Sequence, residues 1–171
     1  KEYIDGPVQK LMRHTGPAMS AFNAWVLLKG LETLAVRVDY SNSSAHRIAE
    51  FLEAHPAVRW VRYPFLPSHP QHDLAKRQMS GGGTVVTFEL AAPEGAAKQR
   101  AFEVLDKLSL IDISNNLGDA KSLITHPATT THRAMGPEGR AAIGLGDGVV
   151  RVSVGLEGTD DLIADLDRAL G

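Results

Sequence analysis

Residues 109–132 of the chain read Ser-Leu-Ile-Asp-Ile-Ser-Asn-Asn-Leu-Gly-Asp-Ala-Lys-Ser-Leu-Ile-Thr-His-Pro-Ala-Thr-Thr-Thr-His. An apolar run typical of a strand is followed by a polar turn and by a second short strand, which stops at the His-Pro pair. Hydroxyl and amide side chains at strand ends, together with the N–H groups of a turn, can each fix part of a polar ligand. The stretch therefore predicts two strands beside a polar binding site.

A second segment, Val150–Glu157, places a lone arginine inside an apolar strand. Arginine presents a planar fork that holds a carboxylate through two parallel hydrogen bonds, so Arg151 is a candidate carboxylate ligand. The alternative is an outward-facing strand residue with a partner on the protein surface. The spacing of the residues alone leaves both interpretations open.

Composition excludes several classes of function. The chain has 171 residues, 43% of them hydrophobic, a net charge of −2 and no cysteine. The charge disfavours a nucleic-acid partner, and without cysteine there is no disulfide, thiolate metal site or cysteine nucleophile. No apolar run is long enough to cross a membrane, and we expect a cytoplasmic protein. The seven histidines show no third ligand beside the His69 and His72 pair, so no metal site is predicted.

Hydrophobic periodicity predicts alternating helices and strands. A long helix is expected from the N-cap Ser20 to the His55-Pro56 pair, with a bend near residues 40–42. The predicted strands cover residues 58–63, 84–90 and 149–154, besides the two short strands around the polar turn. Further helices are expected at residues 69–79, 94–107 and 137–143 and from residue 159 onward. Together these elements predict an α/β domain whose small mixed or antiparallel sheet is covered by helices on one face.

The two signatures, in this order, resemble the C-terminal domain of the Cys/Met-metabolism family of fold type I enzymes that use pyridoxal phosphate. The resemblance extends over essentially the whole chain and includes the segments Thr15–Pro17, Phe22–Trp25, Leu28–Leu34, Pro67–His72 and Ala75–Met79. It implies a linker at residues 1–19, an interdomain helix at residues 20–56 and a C-terminal α/β domain at residues 57–171.

The resemblance also implies roles for individual residues. Arg151 matches the arginine that holds the α-carboxylate of the amino-acid substrate, and Asn116 and Leu117 match a Ser-Leu turn near the substrate and cofactor. Asn115 stands where cystathionine-processing members carry glutamate, and its neutrality argues against a cationic amine at the far end of the substrate. Thr131 matches a threonine near the site. Asn and Gly are also standard turn residues, so a plain β-turn is the alternative for this segment.

The family's cofactor lysine is expected upstream of the interdomain helix, in a Ser-x-x-Lys-Tyr stretch. Lys1 does not match it, because Glu2 separates Lys1 from Tyr3 and because Lys1 lies too close to Thr15–Pro17. The resemblance therefore implies a C-terminal fragment without catalytic residues of its own, inactive alone, whose pyridoxal phosphate is bound by the missing N-terminal portion.

Within the family, the Asn-Leu-Gly-Asp turn is nearest to the O-succinylhomoserine sulfhydrylases, which make homocysteine for methionine biosynthesis from a homoserine ester and a sulfur donor. Methionine γ-lyase, O-acetylhomoserine sulfhydrylase and cystathionine γ-synthase remain alternatives, as does a non-catalytic α/β domain for binding or oligomerisation. The resemblance implies a homotetramer for the full-length enzyme.

Overall fold

The computed structural model describes residues 1–93 and 95–171, which divide into two compact units, residues 1–35 and 36–171. The first unit contains a π-helical turn at Ile4–Val8 and the helices α1 (Gln9–Thr15) and α2 (Ala21–Glu32). The Oγ of Ser20 accepts a hydrogen bond of 3.1 Å from the N–H of Asn23. The predicted N-cap is therefore confirmed, because this bond satisfies one of the donors that a helix leaves free at its start.

The helix α3 covers Leu34–Ala54, so the predicted bend near residues 40–42 is wrong. The helical run is interrupted earlier, at Thr33, which follows α2. Ser41 lies inside α3, buried, and its Oγ donates 2.8 Å to the carbonyl oxygen of Gly155. A serine hydroxyl can compete with a helix by bonding to the local backbone, and here it bonds to a distant residue instead.

The sheet has the strands β1 (Val58–Arg62), β2 (Val85–Leu90), β3 (Asp112–Ile113), β4 (Leu123–Thr125) and β5 (Val149–Ser153). Their order is β1-β2-β5-β4-β3. All neighbours are antiparallel except β3 and β4, which are parallel. The predicted small mixed sheet is confirmed.

The remaining helices are α4 (His72–Gln78), α5 (Ala97–Lys107), α6 (Gly136–Ala142) and α7 (Thr159–Leu170), with 3₁₀ turns at Pro127–Thr129 and Arg133–Met135. The helix predicted from residue 94 begins at Ala97, and Glu94 itself lies outside the described residues. No helix in residues 1–93 and 95–171 is long and apolar enough to cross a membrane.

The two faces of the sheet differ in chemistry. Val86, Phe88 and Leu90 alternate along β2 and are buried in one core with Val150, Val152 and apolar residues of α3, α5 and α7. Side chains of a strand alternate between faces, so the residues between these point to the opposite side. That side, called the open face below, carries Thr87, Glu89 and Arg151, which are partly exposed, and Ser153, which is buried.

Candidate functional site

A row of polar residues crosses the open face from one strand to the next. The register pairs Arg62 with Thr87, Thr87 with Arg151, and Arg151 with Thr125. Arg151 therefore has a threonine on each side, although the two threonines are 38 positions apart in the chain. Neither was predicted as a site residue, because only strand register shows that they flank the arginine.

The guanidinium of Arg151 has hydrogen-bond partners at Nη2 and none at Nε. Its Nη2 donates to the carbonyl oxygens of Asn115 at 2.8 Å and Asn116 at 3.2 Å. Its Nε is buried and has no hydrogen-bond partner. Buried donors in proteins are nearly always paired, so an unpaired N–H on a fixed cation fits an anionic oxygen supplied by a ligand.

The turn that holds Arg151 is itself tied to β5. The Oγ of Ser153 accepts a hydrogen bond of 3.0 Å from the N–H of Gly118. Gly118 has a φ of 81°, a conformation that glycine adopts without steric cost. The predicted residues Asn115 and Asn116 are thus brought to Arg151, and Leu117 lies in the same turn with 59% of its surface exposed.

Thr131 is not joined to this group by any hydrogen bond found in the described residues. Its Oγ1 lies 2.8 Å from Nδ1 of the neighbouring His132. The threonine that the sheet register pairs with Arg151 is Thr125, which is buried and whose Oγ1 lies 2.9 Å from that of Thr130. The role predicted for Thr131 stays a prediction.

The buried His126 fixes the segment between the two signatures. Its Nε2 lies 2.8 Å from the carbonyl oxygen of Asp147, and its Nδ1 lies 2.9 Å from the Oγ1 of Thr129. A carbonyl can only accept, so Nε2 carries a proton. These bonds tie the start of β5 to the threonine run.

Histidines elsewhere form no metal centre, since no group of three or more His, Asp or Glu residues among those described could hold an ion. His69 and His72 line a cavity of about 550 Å³. Burial lowers the pKa of His69, and the nearby charges of Arg62 and His72 lower it further.

Comparison of the sequence with known proteins identifies the family of the chain. Residues 1–171 match the sequence profile of the Cys/Met metabolism PLP-dependent enzymes. The chain belongs to this family. The resemblance of the two signatures is therefore confirmed, and with it the α/β fold.

Individual relatives of this family are similar over nearly the whole chain. It is 87% identical to O-succinylhomoserine sulfhydrylase from Mycobacterium tuberculosis, over 99% of this chain and 42% of that protein. It is 49% identical to the enzyme of the same name from Pseudomonas aeruginosa, over 93% of this chain and 38% of that protein. The chain thus spans about two fifths of the length of the curated relatives it matches.

A solved structure from Campylobacter jejuni, which contains N′-pyridoxyl-lysine-5′-monophosphate, superposes with a TM-score of 0.83 at 40% identity. The match covers 92% of this chain and 37% of that one.

Proposed function

We propose that this sequence is part of a pyridoxal phosphate-dependent O-succinylhomoserine sulfhydrylase, which replaces the O-succinyl group of O-succinylhomoserine with a sulfhydryl group from a sulfur donor, and so yields homocysteine for methionine biosynthesis and releases succinate. The identity of 87% to an enzyme of that name supports the proposal. The observation that carries it is Arg151, whose buried Nε has no partner while its Nη2 is fixed by the turn. An amino-acid substrate brings the carboxylate that such a group binds.

In this proposal the chain binds and orients the substrate. Arg151 holds the α-carboxylate, and Asn116 and Leu117 form the wall beside it. Asn115 is neutral and exposed, so it offers no attraction to a cationic group at the far end of the substrate. Thr131 lies near the same site. A fixed guanidinium lowers the entropy lost when the substrate is oriented, because fewer rotamers of the long side chain must be frozen on binding.

Pyridoxal phosphate, when bound, supplies the electron sink that the carbanion chemistry needs. The unpaired Nε of Arg151 lies on a cationic group that can pair with an anion such as a substrate carboxylate. We place the cofactor lysine in the part of the longer protein that this chain does not span. The chain alone is then inactive, and the full-length enzyme is a cytoplasmic homotetramer that acts on a homoserine ester and a sulfur donor.

Replacement of Arg151 in the full-length enzyme tests the proposal. A buried charge-assisted pair contributes about 2–5 kcal/mol to binding, so Arg151→Ala should lower kcat/KM for O-succinylhomoserine by at least about 30-fold. The cofactor absorbance should be retained. Arg59→Ala is the matched control, because Arg59 also lies on a strand but its side chain is 72% exposed. An unchanged KM and kcat in Arg151→Ala would remove Arg151 from the site.

Substrate comparison separates the related activities. We expect the full-length enzyme to turn over O-succinylhomoserine with sulfide faster than O-acetylhomoserine, and faster than it eliminates methionine. A preference for the acetyl ester, for methionine or for cysteine as the sulfur donor would favour the corresponding alternative. Absence of every one of these activities would favour a non-catalytic binding domain.

A further inference from the structure

Strand β5 contacts the polar turn at two points that lie on the same face. Arg151 donates to the carbonyl oxygens of Asn115 and Asn116, and Ser153, two residues along, accepts from the N–H of Gly118. The spacing of two residues places both side chains on the open face. The turn is therefore held at its beginning by the guanidinium and at its end by a serine hydroxyl.

The far side of the same loop is fixed by Glu157. Its Oε1 accepts from the N–H of Ser122 at 2.7 Å, and its Oε2 accepts from the hydroxyl of Ser122 at 2.8 Å. That hydroxyl also accepts from the N–H of Gly155 at 2.9 Å. Ser122 is fully buried, and hydrogen bonds to an ionised carboxylate are stronger than neutral ones. Glu157 thus anchors the end of the loop to the segment that follows β5.

Close backbone contact accompanies these bonds. The N–H of Leu156 donates 2.8 Å to the carbonyl oxygen of Ala120. A Cβ on Gly155 would lie 2.4 Å from that same oxygen, so only glycine permits the approach. The loop from Asn115 to Ser122 is consequently set at a fixed distance from β5 and the residues after it.

We propose that Ser153 and Glu157 are positioning residues for substrate binding: they hold the loop so that its carbonyl oxygens fix Nη2 of Arg151 and thereby orient the guanidinium for the α-carboxylate. This inference rests on the carboxylate-binding role of Arg151 given above. Without Ser153 the turn loses the bond at Gly118, and its carbonyl oxygens no longer define one orientation of the guanidinium. Substrate binding is then weaker, because it must also supply the free energy that orders the arginine side chain.

The test uses full-length enzyme with the variants Ser153→Ala, Ser153→Thr and Glu157→Gln. Ser44→Ala is the matched control, because Ser44 is also buried and its hydroxyl lies 2.8 Å from that of Thr159, which is not a residue of the loop. Three quantities are measured: KM and kcat for O-succinylhomoserine, amide hydrogen exchange of residues 115–122, and the thermal midpoint.

We expect Ser153→Ala to raise KM about fivefold, the effect of one neutral hydrogen bond, with kcat within about twofold of the original enzyme. Exchange at the Gly118 amide should accelerate, and Ser153→Thr should restore both values. Glu157→Gln should raise KM and accelerate exchange at Ser122. The control should change neither KM nor exchange in the loop.

Two results would overturn the inference. One is an unchanged KM in both Ser153→Ala and Glu157→Gln while Arg151→Ala raises it, which leaves the proposed function intact. The other is a rise in KM that Ser44→Ala reproduces with an equal fall in thermal midpoint, since that indicates general destabilisation. An unchanged KM in Arg151→Ala would instead contradict the proposed function itself.

Discussion

The carboxylate of Asp165, on α7, carries the largest local set of hydrogen bonds in the described part of the C-terminal unit. It accepts from the backbone N–H groups of Ser109 at 3.0 Å, Leu110 at 2.9 Å and Ile111 at 3.2 Å, and from the guanidinium of Arg168. Asp165 is only 6% exposed. We therefore expect its replacement to destabilise the fold by loosening the segment that leads into β3.

The loss in the free energy of unfolding depends on which of these backbone N–H groups stay buried without an acceptor. In Asp165→Ala, water can reach the N–H groups of the exposed Ser109 and Leu110, whereas Ile111 is 4% exposed and its donor is left unsatisfied. One unsatisfied buried donor costs about 1–3 kcal/mol, and losing the bonds to a charged acceptor adds about as much again. We expect a loss of about 3 kcal/mol in the free energy of unfolding for Asp165→Ala and about 2 kcal/mol for Asp165→Asn.

The same carboxylate gives the stability a pH dependence. Burial alone would raise the pKa of Asp165, but the three backbone N–H groups and Arg168 outweigh it and hold the pKa below its usual value of 3.8. A carboxyl whose pKa is lower in the folded than in the unfolded state stabilises the fold above the unfolded pKa. That contribution is lost as the pH falls through the folded pKa. Asp165→Asn has no carboxyl at this position, so its stability should not show this decrease in acid.

Urea denaturation of the 171-residue chain at several pH values measures both effects. Asp167→Asn is the control, because it lies on the same helix with its side chain 64% exposed and should change stability by less than about 0.5 kcal/mol. A change in Asp165→Asn no larger than the control, or an acid dependence equal to that of the original chain, would refute the reasoning.

The other predictions concern the loop, the cofactor and assembly. Gly155→Ala should destabilise the chain by about 2 kcal/mol or more in the same urea assay, because backbone atoms of Ala120 and Lys121 occupy the space of the new Cβ; equal stability would show that the loop can move away. The isolated chain incubated with pyridoxal phosphate should form no stoichiometric adduct that borohydride traps on one lysine, since we place the cofactor lysine elsewhere; such an adduct would contradict that placement. Light scattering over a concentration series should find a monomer or weak dimer, because we place most assembly contacts in the part of the longer protein that this chain does not span, while Phe22, Trp25 and Leu28 of α2, each more than half exposed, favour some association; a tight tetramer at micromolar concentration would show that this chain carries the assembly contacts.

Local sequence determined the elements whose signals are themselves local. The alternation along Val85–Leu90 specified a strand with one buried face, since side chains of a strand alternate and only one set enters the core. Ser20 specified a helix start because its hydroxyl bonds within three residues. A single arginine among valines marked Arg151 as a residue whose charge needs a partner, and the family resemblance named that partner as a carboxylate.

Tertiary structure decided everything that depends on distant residues meeting. Strand register placed Thr87 and Thr125 beside Arg151, and no pattern within either strand encodes its neighbour. The acceptor of the buried Ser41 hydroxyl in α3 is the carbonyl oxygen of Gly155, 114 positions away, which local propensity does not include. The unpaired Nε of Arg151 likewise appears only once the turn has occupied Nη2. Sequence thus identifies a charged group in an apolar strand, but only the packed chain determines which of its donors are satisfied within the protein and which is left without a partner.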